Sequence, residues 1–234
     1  MTNAVDGLAE LLRLTRQAEI EVIGALDPAV RDAPIRPDDW SPKDVQAHLT
    51  AWKARQANRF SAAREGREDP TPGGEEDAIN AELHAARADW SWDAIVQEAD
   101  EVSERLIREV LASGSNEPDV STLVNGAFGN GPFHAATHFG WLRDADVPID
   151  LDRVVAFAQD LEAGIRDLQL PDVDAGTALY NLACFHALAG RLDEARSLLR
   201  TAFAKRPDLA EFSLKDDDLR ALRDELPNLS GAAG

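Results

Sequence analysis

Apolar residues recur at three- and four-residue steps through most of the chain, a spacing that predicts helices and almost no strands. Leu8, Leu11, Thr15, Ala18, Val22 and Ala25 make a first stripe, which Asp27-Pro28 ends. A connector spaced by Pro28, Pro34 and Pro37 follows. A second helix opens at Ser41-Pro42-Lys43-Asp44, with serine at the N-cap, proline at the first helical position and aspartate placed to answer the cap. On it Val45, His48, Leu49, Trp52, Gln56 and Phe60 share a face, and the charged stretch Glu65 to Gly74 reads as a loop. A third helical stretch starts near Glu75, carries Ile79, Leu83 and Ala86, breaks around Asp89-Trp90 and restarts after Ser91. Ile95, Ala99, Val102, Leu106 and Val110 form its continuation, which Ser113-Gly114 ends. Asn125 to Gly131 reads as a Gly/Asn-rich loop, after which Pro132 opens a fourth helix through Leu142. Four main helices in the first 145 or so residues predict an all-α four-helix bundle, its site built from inward-facing side chains.

The pattern changes after Val147-Pro148. Leu151 to Leu168 is amphipathic, and the segment beyond Pro171 fits a tetratricopeptide repeat, a helix–turn–helix unit of about 34 residues. Leu179, Leu182, Ala183, Ala195, Leu199, Ala202 and Pro207 fall where that repeat needs large apolar, small and helix-ending residues, with Gly190 at its turn and His186 in a place usually aromatic. The division predicted is a bundle over 1–146 and a small helical module over 147–234, with a repeat core over about 176–209. One repeat cannot bury its own face, so the Leu151–Leu168 helix and a helix over Asp216–Leu226 are expected to cover it.

Composition narrows the chemistry. Forty-three acidic against 24 basic residues give a formal charge of −19, the wrong sign for a phosphate backbone, so no nucleic-acid partner is expected. No apolar run approaches membrane-spanning length, and Asp6 and Glu10 arrive too early for a signal peptide, which predicts a cytoplasmic protein without a membrane segment. The single cysteine, Cys184, excludes an internal disulfide and cysteine-based metal clusters, and its apolar neighbours assign it to packing. Gly126 to Gly131 lacks the strand and the lysine of a phosphate-binding loop.

His134-Ala-Ala-Thr-His138 puts two imidazoles at i and i+4 on one helix face, the spacing at which a helix offers two ligands to one ion. His48, on the face of the second helix that includes Trp52, is placed to be a third. Three imidazoles suit zinc, nickel, copper or ferrous iron rather than magnesium or calcium, and leave a coordination position open. Taken singly, an H-x-x-x-H pair also fits two interface histidines, and His48 on an apolar face also fits a core histidine.

The run Asp39-Trp40-Ser41-Pro42-Lys43-Asp44-Val45-Gln46-Ala47-His48-Leu49-Thr50-Ala51-Trp52 resembles the second-helix signature of DinB/YfiT-like four-helix bundles, nearest to their ClbS/DfsB branch. Ala78 to Glu82 and the Gly129–Leu142 segment extend the likeness to roughly residues 5–145. It departs at Ala135-Ala136-Thr137, where that branch often carries aromatic residues. The resemblance implies a divalent transition metal, zinc or nickel first, held by His48, His134 and His138. It implies a reaction on a small-molecule electrophile by hydrolysis or transfer to a low-molecular-weight thiol, as in related S-transferases, a thiol-dependent isomerase and a resistance protein. It also leans toward a homodimer. Trp52 and Trp141 are then expected as pocket walls, and Asn80, Glu82 or His84 as the group that orients substrate. The competing expectation is a non-catalytic scaffold that recruits a protein through the repeat-like module.

Overall fold

The computed structural model describes residues 4–35, 40–71, 73–113, 120–168 and 170–229, and every element in them is helical. The first stripe forms α1 (Ala4–Glu19), which widens into a π-helical turn over Ile20–Gly24 and buries Leu8, Leu11, Leu12, Val22 and Ile23. Asp27 caps the short α2 (Pro28–Arg31) by accepting from the Ala29 N–H. In α3 (Pro42–Arg64) the expected capping box is complete. The Ser41 hydroxyl accepts from Asp44 N–H, and the Asp44 carboxylate accepts from Ser41 N–H at 2.9 Å.

Helix α3 runs through the interior. Besides its apolar face it buries Gln46, Thr50 and Lys53, so a second, polar face is also enclosed. Helix α4 (Glu76–Ala85) lies at the edge against α3 with no fully buried residue, and the restart after Ser91 is α5 (Trp92–Ala112), capped by the Ser91 hydroxyl. Gly114, expected to help end it, lies outside the described residues.

The loop expected at Asn125–Gly131 is not a loop. Helix α6 (Val120–Leu123) passes into a π-helical run over Val124–Phe133 and then into α7 (His134–Asp144), with Pro132 inside the run. The glycines serve close packing here rather than a turn. A Cβ on Gly126 would sit 2.5 Å from Gln56 Nε2, and one on Gly131 would sit 2.6 Å from a Leu12 methyl. Helices α1, α3, α5 and this last segment pack on one another around a shared core.

Asp146, at φ 56°, ends α7, with Val147 N–H donating back to Leu142 C=O in a Schellman arrangement. Then come α8 (Leu151–Asp167), α9 (Asp172–Leu188) and α10 (Leu192–Lys205), with Gly190 supplying the left-handed turn at φ 73°. Helices α9 and α10 pack most extensively, burying Leu179, Leu182, Ala183, Ala195, Leu199 and Ala202 between and around them. Helix α8 covers α9 on one side, as expected. On the other the cover is not one α-helix over Asp216–Leu226. After α11 (Asp208–Ser213) the chain forms a 3₁₀ segment (Asp217–Leu222) and α12 (Leu226–Leu229), because Asp216 caps a tight turn by accepting from Asp218 N–H.

One hydrophobic cluster runs from Leu8 to Leu229. Helix α8 lies so close to α1 that a Cβ on Gly164 would be 2.5 Å from a Leu11 methyl, and Phe139 meets Phe157 edge-on at 5.8 Å, a pair worth about 1 kcal/mol beyond its buried area. No helix among the described residues is long and apolar enough to cross a membrane.

Candidate metal centre

The capping box fixes where α3 starts and so which way His48, two turns in, faces. The π-helical run sets the rotation of α7 and so brings His134 and His138 against it. His134 Nε2 stands 3.0 Å from His48 Nε2 and 3.1 Å from His138 Nε2. The three ring centroids are each 4.8 Å apart, with planes inclined at 62° to 71°, a near-threefold propeller.

Burial decides the protonation of this cluster. His48 and His138 are 8 % and 1 % exposed. Desolvation, helped by the nearby His84, pushes the His48 pKa down to about 4. Desolvation, then His48 and Lys53, pushes that of His134 down to about 3. Both imidazoles are therefore neutral at pH 7. A neutral Nε2 carries one proton or one lone pair, so His134 Nε2 can make a normal hydrogen bond to only one of its two neighbours. A cation accepting the Nε2 lone pairs satisfies all three at once, so the residues present fit a divalent transition ion.

Ring orientation is fixed by indoles. The Nδ1 atoms of His48 and His134 are buried and meet no hydrogen-bonding partner among the described residues, whereas metal-bound histidines usually donate there to a carboxylate or carbonyl. Trp40 packs edge-on to His48 at 5.0 Å, Trp52 edge-on to both His48 and His134 at 6.3 Å, and Trp141 edge-on to His138 at 4.2 Å.

Among the other expected site residues, Trp52 Nε1–H donates to Asn80 Oδ1 at 3.0 Å, tying α3 to α4. Asn80 and Trp141 line a cavity of about 510 Å³ that opens over the histidines. His84 stacks flat on Trp40 at 5.1 Å and approaches Asp44 at 3.4 Å, one layer behind the cavity. Glu82 is exposed on α4 and is not brought to the cavity. Sequence reasoning missed Phe133, Glu76 and Asp77, which line the cavity, and the role of Trp40 as the ring between His84 and His48.

It also missed a buried ion pair. Lys53 Nζ lies 2.5 Å from Glu19 Oε1, Gln46 Nε2 donates to Glu19 Oε2 at 3.2 Å, and Arg16 approaches the same carboxylate at 3.5 Å. Burial lowers the Lys53 pKa while Glu19 opposes that shift. Its charge is near enough to His134 to help keep that ring neutral. The one available signal was a lysine, in a chain with four, sharing a helix with a candidate ligand.

A second group of candidate ligands, Cys184, Asp216 and Asp218, lies in the C-terminal part. Here Tyr180 O–H donates to Asp216 Oδ2 at 2.7 Å and the Cys184 thiol donates to the same oxygen at 3.7 Å. Burial and the adjacent carboxylates push the Cys184 pKa well up, so the sulfur stays a thiol at neutral pH and is a poor ligand.

The chain matches no protein-family model, no curated protein and no solved structure.

Proposed function

We propose that the protein is a metal-dependent enzyme or self-protection protein acting on an electrophilic small molecule, by hydrolysis or by transfer to a low-molecular-weight thiol. We further propose that its first part is a DinB/YfiT-like four-helix bundle and its second a tetratricopeptide-like module. The carrying observation is the convergence of three imidazole Nε2 atoms beside a cavity with aromatic walls. His48, His134 and His138 would hold the ion. Three neutral imidazoles suit zinc, nickel, copper or ferrous iron. Bound there, such an ion supplies Lewis acidity and lowers the pKa of water or a thiol toward about 7.

The chain's own residues supply the rest. The Trp40, Trp52 and Trp141 rings hold the imidazoles in place, and Trp141 and Phe133 give the substrate apolar walls. The Asn80 carbonyl is occupied by Trp52, so Asn80 presents amide N–H donors to an oxygen or nitrogen of the substrate.

Metal titration of the purified, tag-free protein tests this reading. We expect close to one equivalent of nickel, iron, cobalt or zinc per chain, and His134→Ala should lose it while retaining helicity. Uptake below about a tenth of an equivalent would sink the proposal. A scaffold role has one observation in its favour: Val173 and Phe212 of the C-terminal part are 56 % and 59 % exposed, apolar side chains that a protein partner would cover.

A further inference from the structure

The cavity over the histidines has a charge pattern of its own. Helix α4 contributes Glu76, Asp77 and Asn80 to its lining, and Trp40, Phe133 and Trp141 contribute aromatic rings. Among the described residues no lysine or arginine lines it. Both carboxylates sit in the first turn of α4, where the helix N-terminus offsets part of their charge without supplying a counter-ion. Indole faces attract cations and carboxylates pair with them, so two independent features of the lining favour the same ligand charge. The overall charge of −19 adds a long-range field of the same sign. In the metal-free chain an anionic ligand would meet Glu76 and Asp77 with no basic side chain in the lining to compensate, whereas an ion on the histidines would add positive charge and narrow the preference.

From this lining we infer that the cavity selects organic cations, molecules carrying a protonated or quaternary amine that sits on the α4 side between Glu76, Asp77 and the indole rings. This rests on the reading of the cavity as a substrate site and adds the substrate's chemical class. A cavity of about 510 Å³ takes a ligand larger than a bare amine. The remainder of the molecule would reach the histidines, with its polar atoms available to the Asn80 N–H donors.

Three probes of one shape and different charge test the inference by calorimetry on the metal-free full chain: 2-phenylethylammonium, neutral 2-phenylethanol and anionic 3-phenylpropionate. The cation should bind about tenfold tighter than the alcohol, and the carboxylate weakest. The double variant Glu76→Gln/Asp77→Asn should weaken the cation about fivefold and leave the alcohol unchanged, which also shows that the cavity is intact. Raised salt should erode the preference. The inference is overturned if the cation binds no tighter than the alcohol, if the double variant binds the cation as the parent does, or if none of the three probes binds. Cation selectivity without metal uptake would overturn the metal reading alone, and metal uptake without cation selectivity would overturn this inference alone.

Discussion

Among the described residues, metal-ligating side chains gather in two places, and one of them is better suited to an ion than the other. Around His134 three imidazole nitrogens face one another with too few protons to pair them all, beside an open cavity. Around Asp216 a phenol, a thiol and a backbone N–H all donate to one carboxylate, so the cluster satisfies itself. Proximity of ligand atoms is common to both. What separates them is whether their hydrogen-bonding needs are met internally, since a group already paired loses that pairing before it can bind anything.

The sharpest way to break this comparison is to remove one member of each cluster and measure metal affinity. His138→Ala should weaken binding of nickel or cobalt by a hundredfold or more, since an open three-ligand site does not survive as a two-ligand one, while Cys184→Ala should leave affinity unchanged. Metal retained by His138→Ala and lost by Cys184→Ala would reverse the assignment.

The two clusters should also respond to acid with opposite signs. His48 and His134 have folded pKa values of about 4 and about 3 against an ordinary 6.5, so below pH 6.5 the unfolded chain binds more protons. Metal-free stability should therefore fall by a few kcal/mol as pH drops from 6.5 toward 3, and His48→Gln should flatten that slope. Burial and Asp216 raise the Asp218 pKa above 3.8, so between the ordinary and raised values the folded state binds the extra proton and gains stability as pH falls. Asp218→Asn should remove that small opposing trend from denaturation curves taken between pH 3 and 6.

Stability without metal provides a third test. Asp216→Ala deprives a buried phenol, a thiol and the cap of the 3₁₀ segment of their acceptor, and should cost about 2 to 3 kcal/mol in chemical denaturation with metal content unchanged. The smallest effect expected is that of Gly126→Ala. Its Cβ would push the Gln56 amide aside, at about 1 to 2 kcal/mol, with a modest loss of metal affinity because the π-helical run sets the position of His134.

Much of this arrangement is legible in the amino-acid sequence. The capping box at Ser41–Asp44, the i, i+4 pair on α7 and the turn at Gly190 are local signals, set by backbone geometry that a short window of sequence contains. The misreadings share a cause. Gly126 and Gly131 look like turn residues because a sequence does not show that Gln56 and Leu12 press on them. The burial of Lys53 and Gln46 carries no signal in the sequence, because polarity on a helix face usually means water and Glu19, their partner, lies 34 and 27 residues away. Trp40 adjoins the motif but gains its place only through His84 on another helix. Contacts between distant segments carry the rest of the site, and periodicity along one segment does not encode them.

The indoles around the histidines have an optical consequence. Trp40, Trp52 and Trp141 are in ring contact with the three imidazoles, while Trp90 and Trp92 pack instead against Arg87 and Arg31. An open-shell ion at the centre would therefore quench the three contacting indoles most strongly, so the protein's own emission reads occupancy without a label.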